Sequence, residues 1–149
     1  MNENKNGTRS SQTGAEEAAS TPNEMPFIVG IGASAGGLKA LEEFFQAVPV
    51  PSDMAYIVLQ HLMKEHASML AEILARKTEL TVKTIEDDTR IEPNTVYVSP
   101  PQKEVNIYQG KLQLFEPGNR EKMLHPIDSF FRALAREAGR KAACVILSG

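Results

Sequence analysis

Phe27-Ile28-Val29-Gly30-Ile31-Gly32-Ala33-Ser34-Ala35-Gly36-Gly37 runs from an unbroken apolar stretch straight into a turn of small residues. Phe27 to Gly32 has no polar residue, the pattern of a strand buried on both faces. Gly37 to Ala47 then carries Leu38, Leu41, Phe44 and Phe45 at intervals of three and four, which marks one face of a helix that Pro49 and Pro51 bring to an end. The unit repeats downstream. Met54 to Leu59 reads as a second buried strand, and Ser68 to Lys77 as a second helix with Met69, Leu70, Ile73 and Leu74 on its apolar side. Continuous apolar strands alternating with amphipathic helices point to a parallel sheet covered by helices.

The middle of the chain has a different texture. Leu80 to Ile85 and Thr95 to Ser99 predict short strands on either side of an acidic, solvated turn at Asp87 and Asp88. Glu104 to Tyr108 and Lys111 to Phe115 alternate apolar and polar residues about Gln109-Gly110, the signature of a β-hairpin. Ile127 to Ala138 predicts a third helix with Asp128 as its cap and Gly139 as its stop, and Ala142 to Leu147 a further buried strand. The expected fold is therefore α/β: a doubly wound, mostly parallel sheet with helices on both faces and an inserted antiparallel hairpin. The domain is expected over residues 26–149 and reads as incomplete, because no helix follows the last strand. Residues 1–25 are Asn, Gly, Ser, Thr, Gln and Glu with little to bury, so a disordered polar tail is expected there.

Composition narrows the function classes. The 149 residues suit one domain, with 42% hydrophobic and 23% charged residues and a net charge of −3. That balance offers no basic field for nucleic acid or an anionic membrane, and no apolar run approaches the roughly 20 residues of a membrane span. The polar N-terminus lacks a secretory core, which gives a cytoplasmic expectation. Cys144 is the single cysteine, so no internal disulfide forms, and its apolar surroundings predict a small buried hydrophobe. Met54, Met63 and Met69 are expected in the core or at its rim.

Three chemistries compete for the glycine-rich turn. Gly30-x-Gly32-x-x-Ala35 fits the dinucleotide fingerprint, but the second strand ends in Gln60-His61, not in the acidic residue that would hold a ribose, and Asp53 lies at that strand's wrong end. A phosphate-binding loop would need Gly-Lys-Ser or Gly-Lys-Thr, which is missing. Gly32-Ala33-Ser34-Ala35-Gly36 matches G-x-S-x-G, a turn that exposes a nucleophilic serine beside backbone N–H groups able to hold an oxyanion. The bland alternative is that Ser34 only caps the following helix. His61 favours the nucleophile: it stands at the carboxyl end of the second strand, and parallel neighbours in a right-handed βαβ unit bring both carboxyl ends to one sheet edge. An imidazole there is placed to act as general base for Ser34. The order also departs from the α/β-hydrolases, in which an acid precedes the histidine. No other acid completes a triad, since Asp53 is at the opposite strand end, Asp87-Asp88 form a turn and Asp128 caps a helix. His61 and His66 are five apart and lack the HExxH spacing of a zinc pair.

Four blocks in one order, Val29 to Gly37, Gln60-His61, Val96-Tyr97-Val98-Ser99-Pro100-Pro101 and Val145-Ile146-Leu147-Ser148-Gly149, resemble the catalytic domain of CheB-type protein-glutamate methylesterases. Gly-Ala-Ser-Ala-Gly-Gly with Gln-His-Leu is most similar to hybrids fused to a CheR-type methyltransferase. The resemblance implies hydrolysis of glutamyl methyl esters on the cytoplasmic domains of chemoreceptors, with glutamine deamidation in many members, and needs no metal or organic cofactor. It assigns the nucleophile to Ser34, the base to His61 and a secondary role to His125. The family aspartate follows the Leu-Ser/Thr-Gly matched by Leu147-Ser148-Gly149, so the chain as given lacks it and is expected to be nearly inactive alone. A non-catalytic receptor-docking remnant is the alternative reading, and nucleotide binding the weaker one.

Overall fold

A computed structural model describes residues 1, 24–60, 69–118 and 125–148. Five strands form a parallel sheet: β1 (Phe27–Ala33), β2 (Met54–Gln60), β3 (Thr81–Thr84), β5 (Thr95–Val98) and β8 (Ala142–Leu147), in the spatial order β3-β5-β2-β1-β8. Helices α1 (Leu38–Ala47) and α2 (Leu70–Ala75) contribute to the hydrophobic core on one face, and α3 (Pro126–Ala138) to the core on the other. A second, antiparallel sheet of β4 (Thr89–Arg90), β7 (Lys111–Phe115) and β6 (Glu104–Tyr108) packs with α3. The expected doubly wound α/β architecture with an antiparallel insert is what the chain adopts.

Strand alternation divides β1 between the two cores. Val29, Ile31 and Ala33 point to the side of α1, where Leu41 and Phe45 are buried and Phe44, Phe45 and Tyr56 meet edge to face. Ile28, Gly30 and Gly32 point to the side of α3. The two glycines admit that helix: a Cβ on Gly32 would lie 2.5 Å from Ile127 Cγ2, and one on Gly30 2.9 Å from Leu134 Cδ2. Both glycines of the dinucleotide fingerprint are thus occupied with helix–sheet packing.

Several expectations change. Cys144 is exposed, not buried, because β8 is the edge strand of the described sheet and α3 reaches only part of the face that Cys144 and Ile146 share. Partial desolvation still holds its thiol above the ordinary range. Asp128 does not cap α3: His125 occupies the cap position without a side-chain cap bond, Pro126 opens the helix, and Asp128 sits in its first turn, where a carboxylate favours the helix dipole. Asp87 and Asp88 are exposed but not idle. Asp87 Oδ1 accepts the Leu114 N–H at 2.9 Å and Asp88 Oδ2 pairs with Lys111 at 2.6 Å, which ties the turn to the hairpin and forms β4. Met54 and Met69 are exposed rim residues, whereas Met63 lies outside the described residues. Met25 packs against the α3-side core, so the packed body begins just before Pro26; residues 2–23 of the expected tail lie outside the described residues.

Candidate active site

The strand order reverses at β1. Successive strands after it are added on one flank, and β8 is added on the other, the topology that in open α/β sheets puts the ligand site at the carboxyl ends of the two diverging strands, here β1 and β8. Ser34 stands at that point. Ala33, its predecessor, is the register partner of both Gln60 on β2 and Leu147 on β8. The backbone of Ser34 is held from both flanks. Its N–H donates to Leu147 O at 3.4 Å, while its carbonyl accepts from Gly37 N–H at 2.9 Å and from Gln60 Nε2 at 3.4 Å. Gly37 fits because a Cβ there would meet Leu147 O at 3.0 Å.

The side chain is left free. Ser34 is exposed and has extended backbone (φ −77°, ψ 171°), and its hydroxyl makes no cap hydrogen bond to the 3-10 turn Ala35–Gly37 that follows. The capping explanation for this serine therefore fails. So does the strained elbow of the α/β-hydrolases, since Ser34 is not among the residues of positive φ. What remains is a hydroxyl at a strand end, with a rigidly anchored main chain behind it. The first N–H groups of a helical turn have no acceptor within that turn, so those of Ala35 and Gly36 adjoin the hydroxyl as potential donors to developing negative charge.

His61 lies outside the described residues, as do His66 and Gly149. The strand that precedes His61 in the sequence is described: Gln60 closes β2 opposite Ala33, one strand spacing, roughly 5 Å, away. In the sequence Gln60 is only the neighbour of His61, and its bond to the Ser34 carbonyl cannot be read there. The signal was its place in the register. His125 is exposed at the start of α3, 3.9 Å from Asp128 Oδ2, and Ile127 two residues on packs on Gly32, so α3 begins at the same sheet edge as Ser34. Asp53 precedes β2 at the opposite edge, as expected. Tyr97 is fully buried and structural. Its hydroxyl donates to Arg90 O at 3.0 Å and accepts from Glu92 N–H at 2.9 Å, and burial raises its pKa.

Comparison with known proteins bears on the whole body and not only on these residues. The family model described as CheB methylesterase matches residues 29–149. Proteins of Pectobacterium atrosepticum and Salmonella typhimurium named protein-glutamate methylesterase/protein-glutamine glutaminase are each 34% identical over 128 residues, which cover 82% of this chain and 36% of theirs. The chain thus spans little more than a third of the length of these curated relatives. The crystal structure of the Thermotoga maritima CheB methylesterase catalytic domain superimposes with a TM-score of 0.71 at 29% identity, covering 83% of this chain and 68% of that one.

Proposed function

The chain belongs to the CheB methylesterase family, and from that premise we propose that it carries the nucleophile and base of an enzyme that hydrolyses glutamyl methyl esters on chemoreceptor proteins. The observation that carries the proposal is the state of Ser34: exposed, without a cap bond, and anchored by its backbone between β8 and the strand that leads into His61. His61 takes the proton of Ser34 Oγ as that oxygen attacks the ester carbonyl. The tetrahedral oxyanion collapses, methanol leaves with the proton from the imidazolium, and water, deprotonated by the same imidazole, releases glutamate and restores the serine. Replacing the ester by a carboxamide gives ammonia by the same steps, the deamidation named for the relatives.

The aspartate that orients His61 belongs to the loop that follows Leu147-Ser148-Gly149 in the family. β8 ends at Leu147, beside Ser34, so a downstream loop would start at the catalytic edge. A polypeptide ending at Gly149 is expected to turn over about 10⁴-fold more slowly than one carrying that loop. The substrate reading places the enzyme on receptor cytoplasmic domains, with a CheR-type methyltransferase as its fused or separate counterpart. Among the described residues no helix is long and apolar enough to cross a membrane.

Methanol release from a methyl-esterified receptor domain tests this. A chain extended through the rest of the family domain is expected to release methanol, and Ser34→Ala or His61→Ala to lower the rate by at least about 10³-fold. Undiminished release by Ser34→Ala would overturn the assignment.

A further inference from the structure

Charge is unevenly neutralised on this surface. Every lysine among the described residues, from Lys39 to Lys141, sits at ion-pair distance from a glutamate or aspartate. Arg132 and Arg136 of α3 and Arg140 in the turn behind it are exposed, and none of them has an acidic partner among the described residues. The helix's own acids do not pair with these arginines: Glu137 Oε1 accepts the Gly110 N–H at 3.1 Å, and Asp128 lies exposed in the first turn, 3.9 Å from His125 Nδ1. A helix C-terminus attracts cations, which accounts for Arg136 in the last turn but not for Arg132 in mid-helix.

The inner side of α3 is taken up by Phe130 and Leu134, both fully buried. Arg132 and Arg136, four residues apart, therefore stand on the outer side about 6 Å apart along the axis. A guanidinium presents a planar fork that matches a carboxylate with two parallel hydrogen bonds, and two forks at this spacing match carboxylates four residues apart on a second helix. The helix also starts at the catalytic edge, where Ile127 packs on Gly32. A segment lying along α3 would lead toward Ser34.

We propose that the outer face of α3 docks an acidic helical segment of the substrate protein, with Arg132 and Arg136 holding carboxylates at four-residue spacing and Arg140 extending the contact. The inference rests on the reading of the substrate as a protein-borne glutamyl ester, a protein on which each turnover leaves a carboxylate. Nucleic acid is a poorer match, since the chain's net charge is −3 and the stripe is three residues long.

The test is fluorescence anisotropy of a labelled helical peptide with glutamates four residues apart, titrated with the 149-residue chain carrying Ser34→Ala. Saturable binding is expected, and Arg132→Gln with Arg136→Gln should weaken it at least tenfold without moving the melting temperature. Arg132→Lys with Arg136→Lys should fall between, having kept the charge and lost the fork. Lys39→Gln with Lys83→Gln, which removes equal charge from already paired sites, should change binding less than twofold. Equal loss from the lysine and arginine variants would overturn the proposal, as would equal binding of a glutamine-substituted peptide or tighter binding of an oligonucleotide. Ser34 chemistry does not enter this readout, so absent binding leaves the esterase assignment intact. Binding without methanol release by the extended enzyme would instead remove the assignment and keep the docking surface.

Discussion

β1 and β8 lie side by side in one sheet and carry almost equally apolar sequences, yet they meet water in opposite measure. Ile28 and Ile31 of β1 are 0% exposed, whereas Ile146 of β8 is 64% exposed with Cys144 beside it. The difference comes from neighbours. β1 has a strand on each flank and helices over both faces, while β8 has β1 on one flank, α3 at the margin of one face, and Val145 and Leu147 only partly buried against the α1-side core on the other. The lesson is that an apolar run declares that a strand is to be covered without saying which part of the polypeptide, or which partner, supplies the cover. The candidate site follows the same contrast: Ser34, the proposed nucleophile, extends the strand that is fixed on every side.

Mutations can break or sharpen that contrast. The largest effect is expected from Ile31→Ala, which opens a cavity in a closed core and should cost about 2–5 kcal/mol in denaturant unfolding. Gly32→Ala comes next at about 1–3 kcal/mol, since its methyl would press on Ile127 and lift α3 from the sheet. Ile146→Ala on β8 should stay within about 0.5 kcal/mol, as expected for an exposed site. A cost equal to that of Ile31→Ala would mean that the outer face of β8 is covered in solution, and the contrast would go. Ser34→Ala should be equally silent in stability, because its hydroxyl makes no cap bond. The smallest effect is kinetic. Cys144 should be alkylated in the folded chain, but with a raised pKa it holds less thiolate at neutral pH than a free cysteine, so its rate should level off at a higher pH than that of the same cysteine in the unfolded chain. Protection of Cys144 until unfolding would contradict the exposed edge.

Much of this organisation was legible from local pattern. β1, α1 and β2 follow from apolar runs and three-and-four spacing, and the hairpin from alternation about Gln109-Gly110, both of which adopt positive φ. What escaped depended on residues distant in the chain. β4 spans only Thr89–Arg90, too short for a period, and exists because Asp87 and Asp88 find partners on β7. Cys144 escaped because burial on an edge is not a property of its own segment. At the site, Ser34 and its adjacency to the strand leading into His61 could be counted from strand ends. The freedom of its hydroxyl could not, since that depends on the turn's backbone angles and on carbonyl contacts from β2 and β8.

Covalent trapping reads the central claim most directly. A serine-directed fluorophosphonate, incubated with the chain extended through the family domain and mapped by peptide mass spectrometry, should leave its adduct on Ser34 and none in the Ser34→Ala or unfolded protein. An adduct on a different serine, or equal labelling of the Ser34→Ala variant, would contradict the account.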